Sequence, residues 1–257
     1  MLRSQKPAAK KLATMNRDNL QYYQEFKDTL RSYQVSEAAK QNLKDLRLVL
    51  LIAPTSAGRN TIIRHLVSSG KYHYIISDTT RPRRSNDGVM EQSGNEYWFR
   101  SEEEILADLR AGRFLEAELI HNQQVSGISI RELEKAKNEQ KIAVTDVDLL
   151  GVHNIIRVKP DTFPIMIIPP SFQEWQNRIM GRSKMSELEL SRRFETAYRI
   201  FSDGLKNNFY HFVISENVEQ SASIIDSIVS GGMNPHQDRG RELLHDLQHQ
   251  LDQKLGR

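Results

Sequence analysis

The sequence predicts an α/β fold, a parallel sheet with helices on both faces, from three observations. From Arg47 onward, short runs of Val, Ile and Leu alternate with amphipathic stretches up to about Val229. The runs are apolar without interruption, as strands buried on both faces require; half-exposed antiparallel strands alternate instead. The chain's 257 residues, 38% of them hydrophobic, suffice for one ample core with appendages.

Taken in order, the elements begin with a basic stretch. Residues 1–17 hold Arg3, Lys6, Lys10, Lys11 and Arg17 and no acid. No apolar segment follows, so this is not a secretory signal; a disordered basic tail is expected, with a weak transit peptide as the alternative. Asn16 to Tyr33 reads as an amphipathic helix, because Leu20, Tyr23, Phe26, Leu30 and Tyr33 recur at spacings of three and four. A polar stretch follows. Strands are then expected at 47–53, 73–78, 142–147, 163–168 and 210–215, and helices at 59–69, 101–111, 129–139, 171–181, 186–206 and 218–230. The polar, strand-like segment from Glu96 to Gly127 suits a small antiparallel insertion. Gly231-Gly232 ends the alternation, and a polar linker runs to about Gly240. Leu244, Leu247, Leu251 and Leu255 then form a narrow stripe. A helix this short is marginal alone, so it is expected to pack on its own core or on a second copy. His245 and His249 have ligand spacing but no evident third partner.

Composition excludes several classes. With no cysteine, a disulfide scaffold, thiolate zinc, an iron–sulfur cluster and cysteine catalysis are ruled out, and a reducing compartment fits. A mean hydropathy of −0.58 and the lack of an 18-residue apolar run exclude a helical membrane span. A formal net charge of +3 gives no argument for a specific nucleic-acid partner.

The chemistry begins after the first strand, at Ala53-Pro54-Thr55-Ser56-Ala57-Gly58-Arg59-Asn60-Thr61. Strand, small-residue loop and helix start form the layout of a phosphate-binding loop, where backbone N–H groups and the helix dipole cradle an anion and a cation neutralises it. Against the pattern GxxxxGK[ST], Ala53 replaces the first Gly, Arg59 the Lys and Asn60 the Ser/Thr, while Gly58 is kept. Arg59 preserves the charge as a planar fork. Asn60 offers an amide oxygen, in place of a hydroxyl, as a magnesium ligand.

Further motifs follow in order: Ser77-Asp78-Thr79-Thr80-Arg81-Pro82-Arg83-Arg84, Gly94-Asn95-Glu96-Tyr97-Trp98-Phe99, Phe114-Leu115-Glu116, and Asp146-Val147-Asp148 with Gly151. At these residues, and across about 47–230, the chain resembles a guanylate kinase. The resemblance implies a P-loop NTPase-type parallel sheet with an acceptor-binding insertion at about 78–128 and a helical lid at about 178–196. The basic tail and helix (1–46) and the linker and C-terminal helix (231–257) flank it.

The same resemblance implies roles. Arg81, Arg84 and Tyr97 match the clamp on the GMP phosphate, Glu116 the carboxylate that accepts from the guanine N1–H and amino group, and Ser77 a hydroxyl beside the base. Asp146 and Asp148 match aspartates near the metal and acceptor nucleotide. Arg178, Arg182 and Arg193 match lid arginines that close on the transferring phosphoryl, and Arg59 supports the donor phosphates of ATP. The family's Y-G-T/S-S stands here as Ser126-Gly127-Ile128-Ser129; a phosphate-binding tyrosine and one base-contacting hydroxyl are missing, and Ser129 is counted with the GMP contacts. The implied activity is transfer of the ATP γ-phosphoryl to GMP with Mg2+, in the cytoplasm. The alternative is a guanylate-kinase-like module that binds a nucleotide or phosphopeptide without turnover. A homodimer or protein partner through the terminal helices is the further expectation.

Overall fold

Five parallel strands form the central sheet in the spatial order His211–Ile214, Phe163–Ile168, Leu48–Ile52, Ile142–Asp146, Tyr72–Tyr74. The computed structural model describes residues 20–86, 88–181 and 186–257. The expected basic tail, the first residues of the helix expected from Asn16, and Arg182 lie outside the described residues.

The middle strand, Leu48–Ile52, is buried along its whole length, and its pleat divides the interior. Val49 and Leu51 face the helices Arg59–Ser68 and Val218–Val229. Leu48 and Leu50 face the opposite layer, where Leu43, Leu133 and Ile155 pack. Fully burying such a side chain contributes about 1.5–3 kcal/mol, so this strand anchors the loop that leaves its C-terminal end.

The helices Leu149–Val158, Phe172–Met180, Glu187–Lys206 and Gln237–Leu255 form or extend that second layer on the far side of the sheet, together with Ile130–Asn138. The first of these was not expected from the sequence. Asp148 caps it, its Oδ1 accepting from the Gly151 N–H at 2.8 Å. The C-terminal helix begins at Gln237, inside the expected linker. Gly240 belongs to it because a Cβ there would lie 2.6 Å from the Cβ of Phe212; glycine marks close helix–strand contact here. Leu244, Leu247 and Leu251 are fully buried beside Phe201 and Phe212, so the stripe is used within the chain.

The segment leading into that helix also closes the sheet edge. Gln237 Oε1 accepts from the Phe212 N–H (3.1 Å), His236 Nδ1 from the Ile214 N–H (3.1 Å), and Asn234 Nδ2 donates to the Phe212 carbonyl (3.1 Å). Side chains thereby satisfy backbone groups that an edge strand leaves open to another chain.

A second, smaller sheet holds Trp98–Phe99, Asp78–Thr79, Gln124–Ser129 and Phe114–Ile120 in that order. It is mixed rather than purely antiparallel, because Asp78–Thr79 runs parallel to Trp98–Phe99. Its long hairpin turns through His121 and Asn122 at φ 51° and 60°, the left-handed geometry a tight hairpin needs. The N-terminal helix is confined to Tyr23–Arg31, and the polar stretch after it contains a short helix, Glu37–Asn42, capped by Ser36. Between them the Tyr33 hydroxyl donates to the Phe114 carbonyl (2.6 Å) and accepts from the Phe114 N–H (2.8 Å), tying this extension to the hairpin. Among the described residues, no helix is long and apolar enough to cross a membrane.

Candidate active site

The loop Ala53–Thr61 leaves the middle strand and enters the helix Arg59–Ser68 through Gly58, which caps it at φ 95°. That left-handed conformation favours glycine, which explains why Gly58 is the retained member of the motif. Ser56 is also left-handed (φ 62°), and its Oγ is buried without a partner among the described residues. The outer wall is fixed by Trp175, whose Nε1 donates to the Thr55 carbonyl at 2.8 Å, and by Arg193, whose Nη1 reaches Thr55 Oγ1 at 3.3 Å. On one side of the loop, a cavity of about 470 Å3 is lined by Ser56, Gly58, Thr61, Arg178, Ser215 and Asn217. Arg178 donates there to the hydroxyl and the carbonyl of Ser215, both at 3.2 Å.

On the other side lies a larger cavity of about 600 Å3, between the two sheets. Of the residues singled out in the sequence, Ala53, Arg59, Ser77, Tyr97, Glu116, Asp146 and Asp148 line it. Arg59 Nη2 is ion-paired to Asp146 Oδ2 at 2.6 Å, and Asp146 Oδ1 accepts from the Tyr74 hydroxyl at 2.7 Å. Burial, and then the Asp146 charge, push the Tyr74 phenol well above its ordinary range, so it stays a donor. The loop cation thus rests on a strand-end carboxylate that is held in place from behind.

Arg81 and Ser129 stand elsewhere than expected. Arg81 is buried and makes a two-point pair with Glu91, Nη1 to Oε2 at 2.7 Å and Nη2 to Oε1 at 3.1 Å. Its guanidinium also lies 5.0 Å from the Tyr97 ring centre and 5.5 Å from that of Phe99. It therefore braces the aromatic wall and does not open onto the cavity. Hydrogen bonds from the Arg81 side chain and the Arg84 backbone hold the Glu91 carboxyl down at about 2. Arg84 is exposed and does not line the cavity either. Ser129 is buried at the start of the helix Ile130–Asn138. Ile128, opposite Glu116 on the hairpin, takes the cavity position, because the strand turns into a helix there.

Among the cavity or bracing residues that escaped the sequence reading are Glu91, Glu118, Thr196 and Arg199, beside Tyr74. For Glu118, Thr196 and Arg199 a signal existed. Glu118 follows Glu116 by two on a strand, and on the helix Glu187–Lys206, Thr196 follows Arg193 by three and Arg199 follows Thr196 by three, each step reaching a side-chain neighbour. Burial, then Glu118 and Asp148, push the Glu116 carboxyl up to about 8. Burial, then Asp148, push Glu118 up to about 7.

Among the described residues, no three His, Asp or Glu side chains converge as a metal cage. Besides the loop hydroxyls of Thr55, Ser56 and Thr61, the oxygens available beside the loop include the Asn60 amide, which accepts from Arg59 Nε at 3.4 Å, and Asp146. One amide and one carboxylate suit magnesium that arrives on nucleotide phosphates with its own water shell.

Comparison with known proteins gives one answer. Residues 45–231 match the family model described as guanylate kinase. The guanylate kinase of Corynebacterium diphtheriae is 32% identical over 187 residues, 72% of this chain and 95% of that protein. That of Thermotoga maritima is 30% identical over 186 residues, 71% and 86% respectively. A crystal structure of guanylate kinase from Anaplasma phagocytophilum superposes with a TM-score of 0.51 at 23% identity, covering 75% of this chain and 88% of that one, which shows the shared fold. The two flanking cavities, the loop between them and the matched span agree: the chain belongs to the guanylate kinase family.

Proposed function

We propose that this chain is an ATP-dependent guanylate kinase, converting GMP and ATP to GDP and ADP. The observation that carries the reading is the larger cavity, which places Arg59 and Asp146 at one end and Glu116, Ser77 and Tyr97 around the rest. In the reaction an oxygen of the GMP phosphate forms a bond to the γ-phosphorus, and the bond from that phosphorus to the β–γ bridging oxygen breaks, leaving ADP. Positioning and charge neutralisation carry most of the catalysis in such a transfer.

This chain's residues take the following parts. Arg59 exchanges Asp146 for the donor phosphates, at the N-terminus of a helix whose free N–H groups add to the attraction. Glu116, ionised, accepts from the guanine N1–H and amino group, and Ser77 meets the base edge. The Tyr97 hydroxyl holds the acceptor phosphate and Arg84, exposed in the empty site, swings in over it, while Arg81 fixes the Tyr97 ring. Arg178 and Arg193, already at the rim of the loop, close with Arg182 on the transferring group. Magnesium bound with ATP would sit near Asn60 and Asp146 and neutralise the β- and γ-oxygens.

The test is product analysis after incubation with GMP and MgATP. Equimolar GDP and ADP are expected. Saturable GMP binding with no product would contradict the kinase and favour the binding-module alternative, for which the Arg59–Asp146 pair would then be a locked arrangement.

A further inference from the structure

One carboxylate in the cavity has no part in this reading. Glu118 lies two residues after Glu116 on the strand Phe114–Ile120, and both line the cavity. Same-face neighbours on a strand stand about 7 Å apart. Across the hairpin Glu116 faces Ile128 and Glu118 faces Ser126; Ser126 in turn faces Thr79, two residues before Arg81. Glu118 is therefore one pleat from the base-binding carboxylate, on the side toward the Arg81–Tyr97 wall. A nucleotide whose base meets Glu116 and whose phosphate meets Tyr97 places its sugar there.

The side chain also lacks a partner. Its Oε1 is buried and accepts no hydrogen bond among the described residues. The hydroxyl directly opposite is engaged elsewhere, with Ser126 Oγ 2.7 Å from Thr79 Oγ1. Ile128 and Ile120, which share the cavity wall, have nothing to donate. Asp148 is a second acceptor and raises the proton affinity of Glu118 further. A buried carboxylate oxygen without a donor is unfavourable, and a ligand that brings one is favoured to the same degree.

We propose that Glu118 accepts a hydrogen bond from a ribose hydroxyl of the acceptor nucleotide and so selects ribonucleoside over 2′-deoxyribonucleoside monophosphates. This rests on the kinase reading, with Glu116 on the base. A deoxy acceptor would leave the oxygen unpaired in the closed site, the means by which a polar site rejects an analogue that lacks one group.

The experiment measures kcat/KM for GMP and dGMP at saturating MgATP in the wild type, Glu118→Gln and Glu118→Ala. The wild type is expected to prefer GMP about tenfold, the worth of one hydrogen bond to a charged group. Glu118→Ala should bring the ratio close to one by losing rate with GMP alone. Glu118→Gln should keep most of the preference, since its amide oxygen still accepts. A wild-type ratio near one, or equal losses with both nucleotides in Glu118→Ala, would overturn the assignment while leaving the kinase intact. Turnover of neither nucleotide by the wild type would defeat the kinase reading, and this assignment with it.

Discussion

The two ends of the larger cavity are built on opposite principles. At the loop end the cation already has a counter-ion, Arg59 on Asp146. At the strand end Glu116, Glu118 and Asp148 line the cavity without an ion-paired cation among the described residues, and two of the three are pushed to about 8 and about 7. A phosphate must therefore displace a carboxylate to bind at the loop. A base needs only to bring hydrogen-bond donors. The contrast suits donor phosphates at the loop and an acceptor base rich in N–H groups at the strand.

Substitutions at each end should separate these functions. The largest effect is expected at Arg59: Arg59→Met should lower kcat by about 10³-fold, the scale set by preorganised charge stabilisation. GMP affinity, measured by calorimetry, should change little; an equal loss of both would mean that the two ends are not independent. Next in size, Glu116→Ala should lower kcat/KM for GMP by about 100-fold, as expected when two donors lose a charged acceptor. Activity with AMP, measured in the same assay, should hardly move.

A smaller effect should appear with pH. Because the carboxyl of Glu116 is raised to about 8, it is mostly protonated at pH 7 in the empty site, and guanine requires it ionised. Binding GMP should therefore release a proton, and KM for GMP should fall by roughly five- to tenfold between pH 7 and 8.5. A KM that rises over this range, or the same slope in Glu116→Gln, would contradict the assignment. The smallest effect is expected behind the aromatic wall. Glu91→Gln weakens the hold on Arg81 and should raise KM for GMP by about threefold with kcat unchanged; a fall in KM would show that Arg81 works better released.

The fold was legible where burial is two-sided. Strands such as Leu48–Ile52 and Phe163–Ile168 are apolar on both faces, and composition alone announces that. The helix Leu149–Val158 was not legible, because its sequence LLGVHNIIRV is apolar enough to hide a helical period beside the Asp-x-Asp motif. Gly240 reads as a break in isolation and becomes a helix residue only through its contact with Phe212. The site divides in the same way. Arg59 was legible from the phosphate-loop layout, and Glu116, Tyr97 and Asp146 through the family resemblance; all four line the larger cavity. The pairing of Arg81 with Glu91, ten residues away across an insertion, and the burial of Ser129 behind Ile128 depend on tertiary packing that spacing does not encode.

A cavity that selects guanine and transfers phosphoryl to its monophosphate must discriminate among nucleotides. Initial rates of ADP formation with GMP, AMP, CMP and UMP, each with MgATP, test it most directly. Turnover with GMP is expected at least 100-fold above the other three, consistent with a base held by a charged acceptor. Comparable rates with AMP, or none with GMP, would contradict it.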